Sequence, residues 1–229
     1  MTPPALDEGI REQLREFHSR LADGMPRAGW KICINDRRVQ NKLGLGASFV
    51  GFLDGGRAFE SGQTWQVEPG AVLGVEPEFA IRFHRGVCAG TGGDGIRAAI
   101  AGVAPAIEVV DWKGAKFDLA TLAASASFHA GFVVGPLRAL ADVRPVGDGC
   151  PLFRRGGEVI GVPDPELVPA DLTLVVAHVA VFLDARGEAI EAGDWLLCGA
   201  CTNPARVEAG QGIVAEFAGL GSVSVRFSD

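Results

Sequence analysis

With 229 residues, 48% of them hydrophobic and 32 of them glycine, the chain can bury a sizeable core and is unlike a disordered segment. A formal net charge of -7 argues against a nucleic-acid partner, because phosphate binding needs a basic surface. No apolar run reaches the roughly 18 residues of a membrane span, and the opening MTPPALDEGIREQL has no apolar signal core. The cysteines at 33, 88, 150, 198 and 201 are odd in number and scattered, so a reducing, cytoplasmic setting is expected.

Leu6, Ile10, Leu14, Phe17 and Leu21 recur at three- and four-residue steps, which predicts a helix over 6–22. GWKICI (29–34) reads as a short apolar strand carrying one lysine, and RRVQNKLG (37–44) as a short helix ended by Gly44. Residues 47–53 and 64–83 read as strands with turns, and GVCAGTGGDG (86–95) as a glycine-rich loop. AIEVVD (106–111) is a further strand, DLATLAASASFHAG (118–131) a small-residue helix and FVVG (132–135) a strand. ADLTLVVAHVAVFLDARG (170–187) is the most apolar helix, stopped at Gly187. DWLLCG (194–199), GIVAEFAG (212–219) and SVSVRF (222–227) close the chain as strands, with Gly219 and Gly221 at the last turn. Many strands, few helices and no regular βα alternation predict an α+β fold. No repeat, low-complexity tract or linker interrupts the chain, so a single domain over 1–229 is the simplest organisation.

In GVEPEFAIRF (74–83), Phe79, Ile81 and Phe83 share one face of a strand. Glu76 and Glu78, two residues apart, share a face as well. Glu108 lies on another strand, with Asp111 three residues on. Carboxylates brought together raise one another's pKa and destabilise the fold unless a cation joins them. Three of them suit a hard ion such as Mg²⁺, Mn²⁺ or Ca²⁺ better than zinc. The alternative is separate exposed edge residues, which Pro77 would suit. GTGGDG (90–95) has the formal shape of a dinucleotide fingerprint. The following IRAAIAGVAP, however, holds at most two turns before Gly102 and Pro105, too little for a crossover helix, so a surface loop is expected. Cys198 and Cys201 form a single C-x-x-C without a second pair for zinc, and read as small residues at a strand end. The histidines at 18, 84, 129 and 178 have no mutual metal spacing, and His18 and His178 fall inside helices. No G-x-S-x-G elbow is present. Lys31 sits between Trp30 and Ile32; it either snorkels to the surface or provides a buried cation for a developing oxyanion.

From about residue 28 to the end, the chain resembles the 2-oxopent-4-enoate hydratase / 4-oxalocrotonate decarboxylase family of the fumarylacetoacetate hydrolase superfamily. The stretches that carry the resemblance are GWKI (29–32), VEPEFAIRF (75–83), APAIEVVD (104–111), AGFVVG (130–135), RGEAIEAGDWLLCGACT (186–202) and FAGLGSVSVRF (217–227). The resemblance implies a single α+β domain with a mixed, rolled β-sheet core and flanking helices, residues 1–27 being a shortened N-terminal helical region. It implies that Glu76, Glu78 and Glu108 hold one Mg²⁺ or Mn²⁺, which chelates the carboxylate and 2-oxygen of a 2-oxo acid, and that Lys31 helps polarise that oxygen. Chelation fixes the substrate, and the cation stabilises the enolate common to the family's reactions. A small-molecule substrate and a homo-oligomer are the implied partners.

The pattern also departs from the family's. Where the family reads GWKIGLTS, this chain has Cys33, Asn35 and Asp36 in place of the glycine, threonine and serine. An anionic Asp36 near a substrate carboxylate would repel it. Ser48 stands where the family has an aspartate, SASFH replaces a polar DNAS, and CGACT keeps Thr202. Asp36, Ser48 and Thr202 are therefore the candidate substrate-binding positions, with Lys31 the catalytic one. The expected activity is that of a metal-dependent lyase, hydratase or decarboxylase in type, on a 2-oxo or 2-hydroxy-dienoic acid. An acylpyruvate-type C–C hydrolase, a tautomerase and a non-catalytic ligand-binding relative are the alternatives.

Overall fold

The computed structural model describes residues 3–143 and 151–229; Cys150 lies outside them. Its helices are α1 (Pro4–Ala22), α2 (Arg37–Leu43), α3 (Gly93–Ala99), α4 (Leu119–Ala124) and α5 (Leu172–Asp184). The first strands are β1 (Arg27–Cys33), β2 (Phe49–Asp54), β3 (Ala58–Glu60) and β4 (Thr64–Gln66). The central ones are β5 (Leu73–Phe83), β6 (Ile100–Asp111) and β7 (His129–Val134). Then follow β8 (Leu152–Arg155), β9 (Glu158–Gly161), β10 (Trp195–Ala200), β11 (Ala205–Arg206), β12 (Gly212–Phe217) and β13 (Gly221–Ser228).

The strands form two mixed sheets. The larger runs β2-β1-β10-β5-β6-β7-β3, with β11 added to β5, and the smaller runs β4-β13-β12-β8-β9. The pairs β1–β10 and β3–β7 are parallel, while β5 is antiparallel to both β6 and β10. This is the expected α+β architecture with a mixed, curled sheet.

Alternation along β5 decides what each face covers. Val75, Phe79, Ile81 and Phe83 point to the main core, where Phe79 meets Phe217 of the smaller sheet edge-on at 5.0 Å. The opposite face carries small groups: Ala80 packs with Ala104, Ala106, Leu197 and Phe132. Alanines let the sheet curl tightly there, and the carboxylates continue that same face. Helix α1 closes the other end, with Phe17 ring centroids 5.1 Å from both Trp30 and Phe52. No helix among the described residues is long and apolar enough to cross a membrane.

Two expectations need correction, and one alternative falls away. The helix predicted over 118–131 stops at Ala124, and His129 to Gly131 belong to β7. Asp118 caps the start, its carboxylate accepting from the Thr121 amide at 2.9 Å. Ser125 ends it: its hydroxyl donates to the Thr121 carbonyl at 2.7 Å and accepts from the Phe128 amide at 3.1 Å, a side-chain alternative to the helical ladder. Ala126, Ser127 and Phe128 then run through left-handed backbone, with φ of 48°, 59° and 65°. Second, the loop over 86–95 ends early, since α3 begins at Gly93. It is a seven-residue helix between antiparallel strands, so GTGGDG opens no βαβ crossover. Third, β5 is no edge strand: Pro77 is interior and faces the segment where β10 leaves the ladder between Leu197 and Ala200.

Candidate metal centre and substrate cavity

Strand register brings the predicted residues together. Glu76 pairs directly with Glu108 across β5 and β6, and Glu78 follows two residues along on the same face. Lys31 pairs with Leu197, which pairs with Ala80, so Lys31 also lies on the Glu78 face. One carboxylate oxygen from each glutamate lies within 4.8 Å of the others. Glu78, Glu108 and Lys31 are 1%, 1% and 2% exposed, whereas Glu76 is only half-buried and looks into a cavity of about 490 Å³. Burial rules out a snorkelling Lys31.

Each buried group has a fixed partner. Lys31 Nζ lies 2.5 Å from Glu108 Oε1 and donates to the Ala126 carbonyl at 3.1 Å. The left-handed turn that ends α4 thus presents a carbonyl to the lysine. His129 Nδ1 lies 2.8 Å from the same Oε1. The Asp54 amide donates to His129 Nε2 at 3.4 Å, so Nε2 accepts and Nδ1 carries the proton toward Glu108. Glu78 Oε2 accepts from the Gly199 amide at 2.7 Å. That amide is free because β10 bulges at this point, with Gly199 at φ 101° and its Cα facing the Asn35 side chain. A side chain at Gly199 would need the left-handed region and would strike Asn35.

The electrostatics are those of a site built for a cation. Burial, and then Glu108, push Glu76 up to about 7. The same two causes raise Glu78 well above the carboxylate range, against the pull of Lys31. Glu108 is the exception: burial opposes its charge, but Lys31 and His129 outweigh burial and hold it below its ordinary value. Burial likewise opposes the Lys31 ammonium, and its neighbours Cys33, Glu108, Glu78 and Glu76 overcome that and raise it. Glu108 Oε2 is buried and has no hydrogen-bond partner among the described residues. A buried carboxylate oxygen left unpaired is costly. Beside two further carboxylates it fits an oxygen-ligated divalent ion.

The remaining predicted positions divide. Thr202 is 1% exposed and lines the cavity, its hydroxyl donating to the Asn203 carbonyl at 2.9 Å. Asp36 also lines it, but caps α2 through the Arg38 amide at 2.7 Å and pairs with the Arg38 guanidinium at 2.9 Å. Arg38 holds its carboxyl below the usual range, so Asp36 is anionic with its charge already matched. Ser48 faces a neighbouring, shallower cavity; it donates to the Ile34 carbonyl at 3.2 Å and accepts from Gln40 at 3.1 Å. Asn35 is a brace, its amide donating to the Ala200 and Leu167 carbonyls at 2.8 and 3.0 Å. His129 and Arg206 are not picked out by sequence reasoning. The signal for His129 is its place directly before AGFVVG. The signal for Arg206 is its place as the lone cation in NPARVEAGQG, directly after Thr202.

No known family profile matches the chain. The chain is 34% identical over 135 residues to a 4-oxalocrotonate decarboxylase of Pseudomonas putida, a match covering 57% of this chain and spanning only half (50%) of that relative. It is 29% identical over 215 residues to a 2-keto-4-pentenoate hydratase of Paraburkholderia phymatum, covering 92% of this chain and 81% of the relative. Among solved structures, 4-oxalocrotonate decarboxylase from Pseudomonas putida G7, complexed with magnesium and adipate, superposes with a TM-score of 0.89 at 25% identity, over 97% of this chain and 86% of that one. With the shared curled sheet and the glutamate cluster, these likenesses make the chain similar to 4-oxalocrotonate decarboxylase and 2-keto-4-pentenoate hydratase, although it spans only about half the length of the first of these relatives in the match.

Proposed function

We propose that the protein is a divalent-metal-dependent lyase, of hydratase or decarboxylase type, acting on a 2-oxo or 2-hydroxy-dienoic acid. The observation that carries the reading is the unpartnered, buried Glu108 Oε2 beside Glu76 and Glu78, with Lys31 held 2.5 Å from the other Glu108 oxygen. Glu76, Glu78 and Glu108 would hold Mg²⁺ or Mn²⁺. When bound, such an ion acts as a Lewis acid toward a carbonyl oxygen. Relatives support the choice of ion class: solved neighbours carry magnesium, calcium or Mn²⁺.

The protein's own part is positioning and charge. Lys31 has three N–H donors and uses two on Glu108 and Ala126. Lys31 lines the cavity, so the third would be available to a substrate oxygen, where a fixed ammonium favours negative charge in the transition state. Lys31 remains protonated because its surroundings are negative, so it serves as a cation and hydrogen-bond donor, not as a base. Apolar walls from Ile32, Val110, Trp112 and Phe128 exclude water from the substrate's carbon chain. The test is direct: Mg²⁺-loaded protein is mixed with 2-hydroxypenta-2,4-dienoate and with 2-oxohex-3-enedioate. Loss of ultraviolet absorbance is followed for the first and carbon dioxide release for the second. Metal-dependent turnover of either supports the lyase reading. No turnover of both, with Mn²⁺ shown to be bound, would overturn it.

A further inference from the structure

At its inner end the cavity is close to charge balance once a divalent ion is present: three carboxylates face that ion and the Lys31 ammonium. Asp36, the other carboxylate on the wall, is matched by Arg38 outside. One cation lining the cavity is then left over. Arg206 lines it, is exposed, and makes no side-chain hydrogen bond or ion pair among the described residues. Its placement follows from the sheet. β11 adds to β5 with Arg206 opposite Gly74, so the arginine side chain springs from the same face as Glu76. Gly74 and Glu76 are separated by roughly 7 Å along the strand, two residues of rise. Trp112 lies over Gly74, where a Cβ would strike its indole ring. This face therefore carries the carboxylate cluster at Glu76 and, at the level of Gly74, an indole surface and a guanidinium. That is a charged end separated from an apolar surface and a second, cationic group by a span on the scale of a short dicarboxylic acid.

We infer that Arg206 is the specificity-determining residue for a second carboxylate, so that the chain prefers a 2-oxo dicarboxylate to the monocarboxylic acid of equal length. The inference rests on the proposed 2-oxo acid reading of the inner end and adds to it which members of that class are taken. A guanidinium can grip a carboxylate through two parallel N–H bonds, a geometry that lysine does not reproduce. A monocarboxylic chain would leave its apolar end against an unpaired Arg206.

The experiment uses two unreactive probes, 2-oxoadipate and 2-oxohexanoate, titrated by calorimetry into the Mn²⁺-loaded wild type and into Arg206→Gln and Arg206→Lys. The wild type should bind 2-oxoadipate at least tenfold more tightly. Arg206→Gln should erase that difference by weakening the diacid alone, and Arg206→Lys should restore part of it. Mn²⁺ affinity, measured in the same samples, should be equal in all three. Equal binding of the two probes by the wild type, or a preference that survives in Arg206→Gln, would overturn the inference. So would a wild type that binds neither probe. A diacid preference without turnover of the dienoic substrates would leave Arg206 assigned and remove the lyase reading. Turnover without any diacid preference would do the reverse.

Discussion

The two ends of the cavity are built differently. The inner end takes Lys31, Glu76, Glu78 and Glu108 from β1, β5 and β6, strands of one sheet whose register fixes every side chain. The rest of the lining takes Asp36, Thr202 and Arg206 from a helix cap, the turn after a strand and a two-residue strand. The departures from the family pattern read in the sequence touch both sets: Asn35, Asp36 and Ser48 on the second and its supports, and Cys33 and residues 125–129 beside Lys31 and Glu108. A carboxylate on the sheet face cannot be relocated without slipping a strand, which would turn its neighbours to the wrong face. A wall residue can change with only local effect. The contrast separates a charged end fixed by strand register from a wall that can change one residue at a time.

The largest effects should come from the inner end, and they should not be uniform within it. Glu108→Gln removes the partner of both Lys31 and His129 and leaves a buried ammonium unmatched; this should cost about 3–5 kcal/mol of stability without metal. Glu76→Gln removes a carboxylate that burial and Glu108 already disfavour, and should leave the metal-free protein as stable or slightly more so. Both should lose the stabilisation that Mn²⁺ gives the wild type, roughly 2.7 kcal/mol at a hundredfold excess over Kd. Urea melts with and without Mn²⁺ check this. If Mn²⁺ stabilises both variants as it does the wild type, the glutamates are not the metal site.

Lys31→Met keeps the three carboxylates and takes away the donor. Turnover should fall by roughly 10²–10³, the loss typical of one oxyanion donor, while Mn²⁺ binding persists. A variant that lost metal binding as well as turnover would show Lys31 to be part of the ion site, not a donor beside it. Next in size is His129. His129→Leu should weaken Mn²⁺ binding by about 10–100-fold, as removal of a group that orients a ligand does. His129→Asn, whose amide N–H can take the place of Nδ1–H, should recover most of that. Equal Mn²⁺ affinity in wild type and His129→Leu would reduce the histidine to packing.

What could be read from the sequence follows the same division. The period of two puts Glu76 and Glu78 on one face without any structure, and the apolar flanks of Lys31 announce its burial. That Glu108 meets them depends on pairing across β5 and β6, which spacing alone cannot give and the family resemblance supplies. His129 escapes notice because residues 118–131 have a helical composition, while the Ser125 hydroxyl turns the chain out of the helix one turn early. Asp36 carries a signal of its own, an aspartate directly before a helix, and that capping role competes with any role toward substrate. The second sheet is hard to foresee since β8 and β9 are four residues each, too short for alternation to stand out.

The smallest effects should mark the wall's supports, and they sharpen the comparison most. Asp36→Ala removes the cap of α2 and one partner of Arg38, which Asp164 still holds at 2.6 Å. A lost cap costs about 1 kcal/mol. Ser48→Ala breaks hydrogen bonds to the Ile34 carbonyl and Gln40, again about 1 kcal/mol. Neither should change Mn²⁺ affinity, since neither residue touches the glutamates. They should differ toward substrate. Ser48 faces the neighbouring cavity, so Ser48→Ala should leave KM as it was. Asp36 faces the substrate cavity with a charge that Arg38 neutralises, and with it gone Arg38 is freer, so KM for an anionic substrate should hold or fall a few-fold. Urea melts and steady-state kinetics on the two variants measure both. A rise in KM for Ser48→Ala would mean that Ser48 reaches the substrate after all, and the line between a fixed interior and a changeable wall would have to be drawn further out.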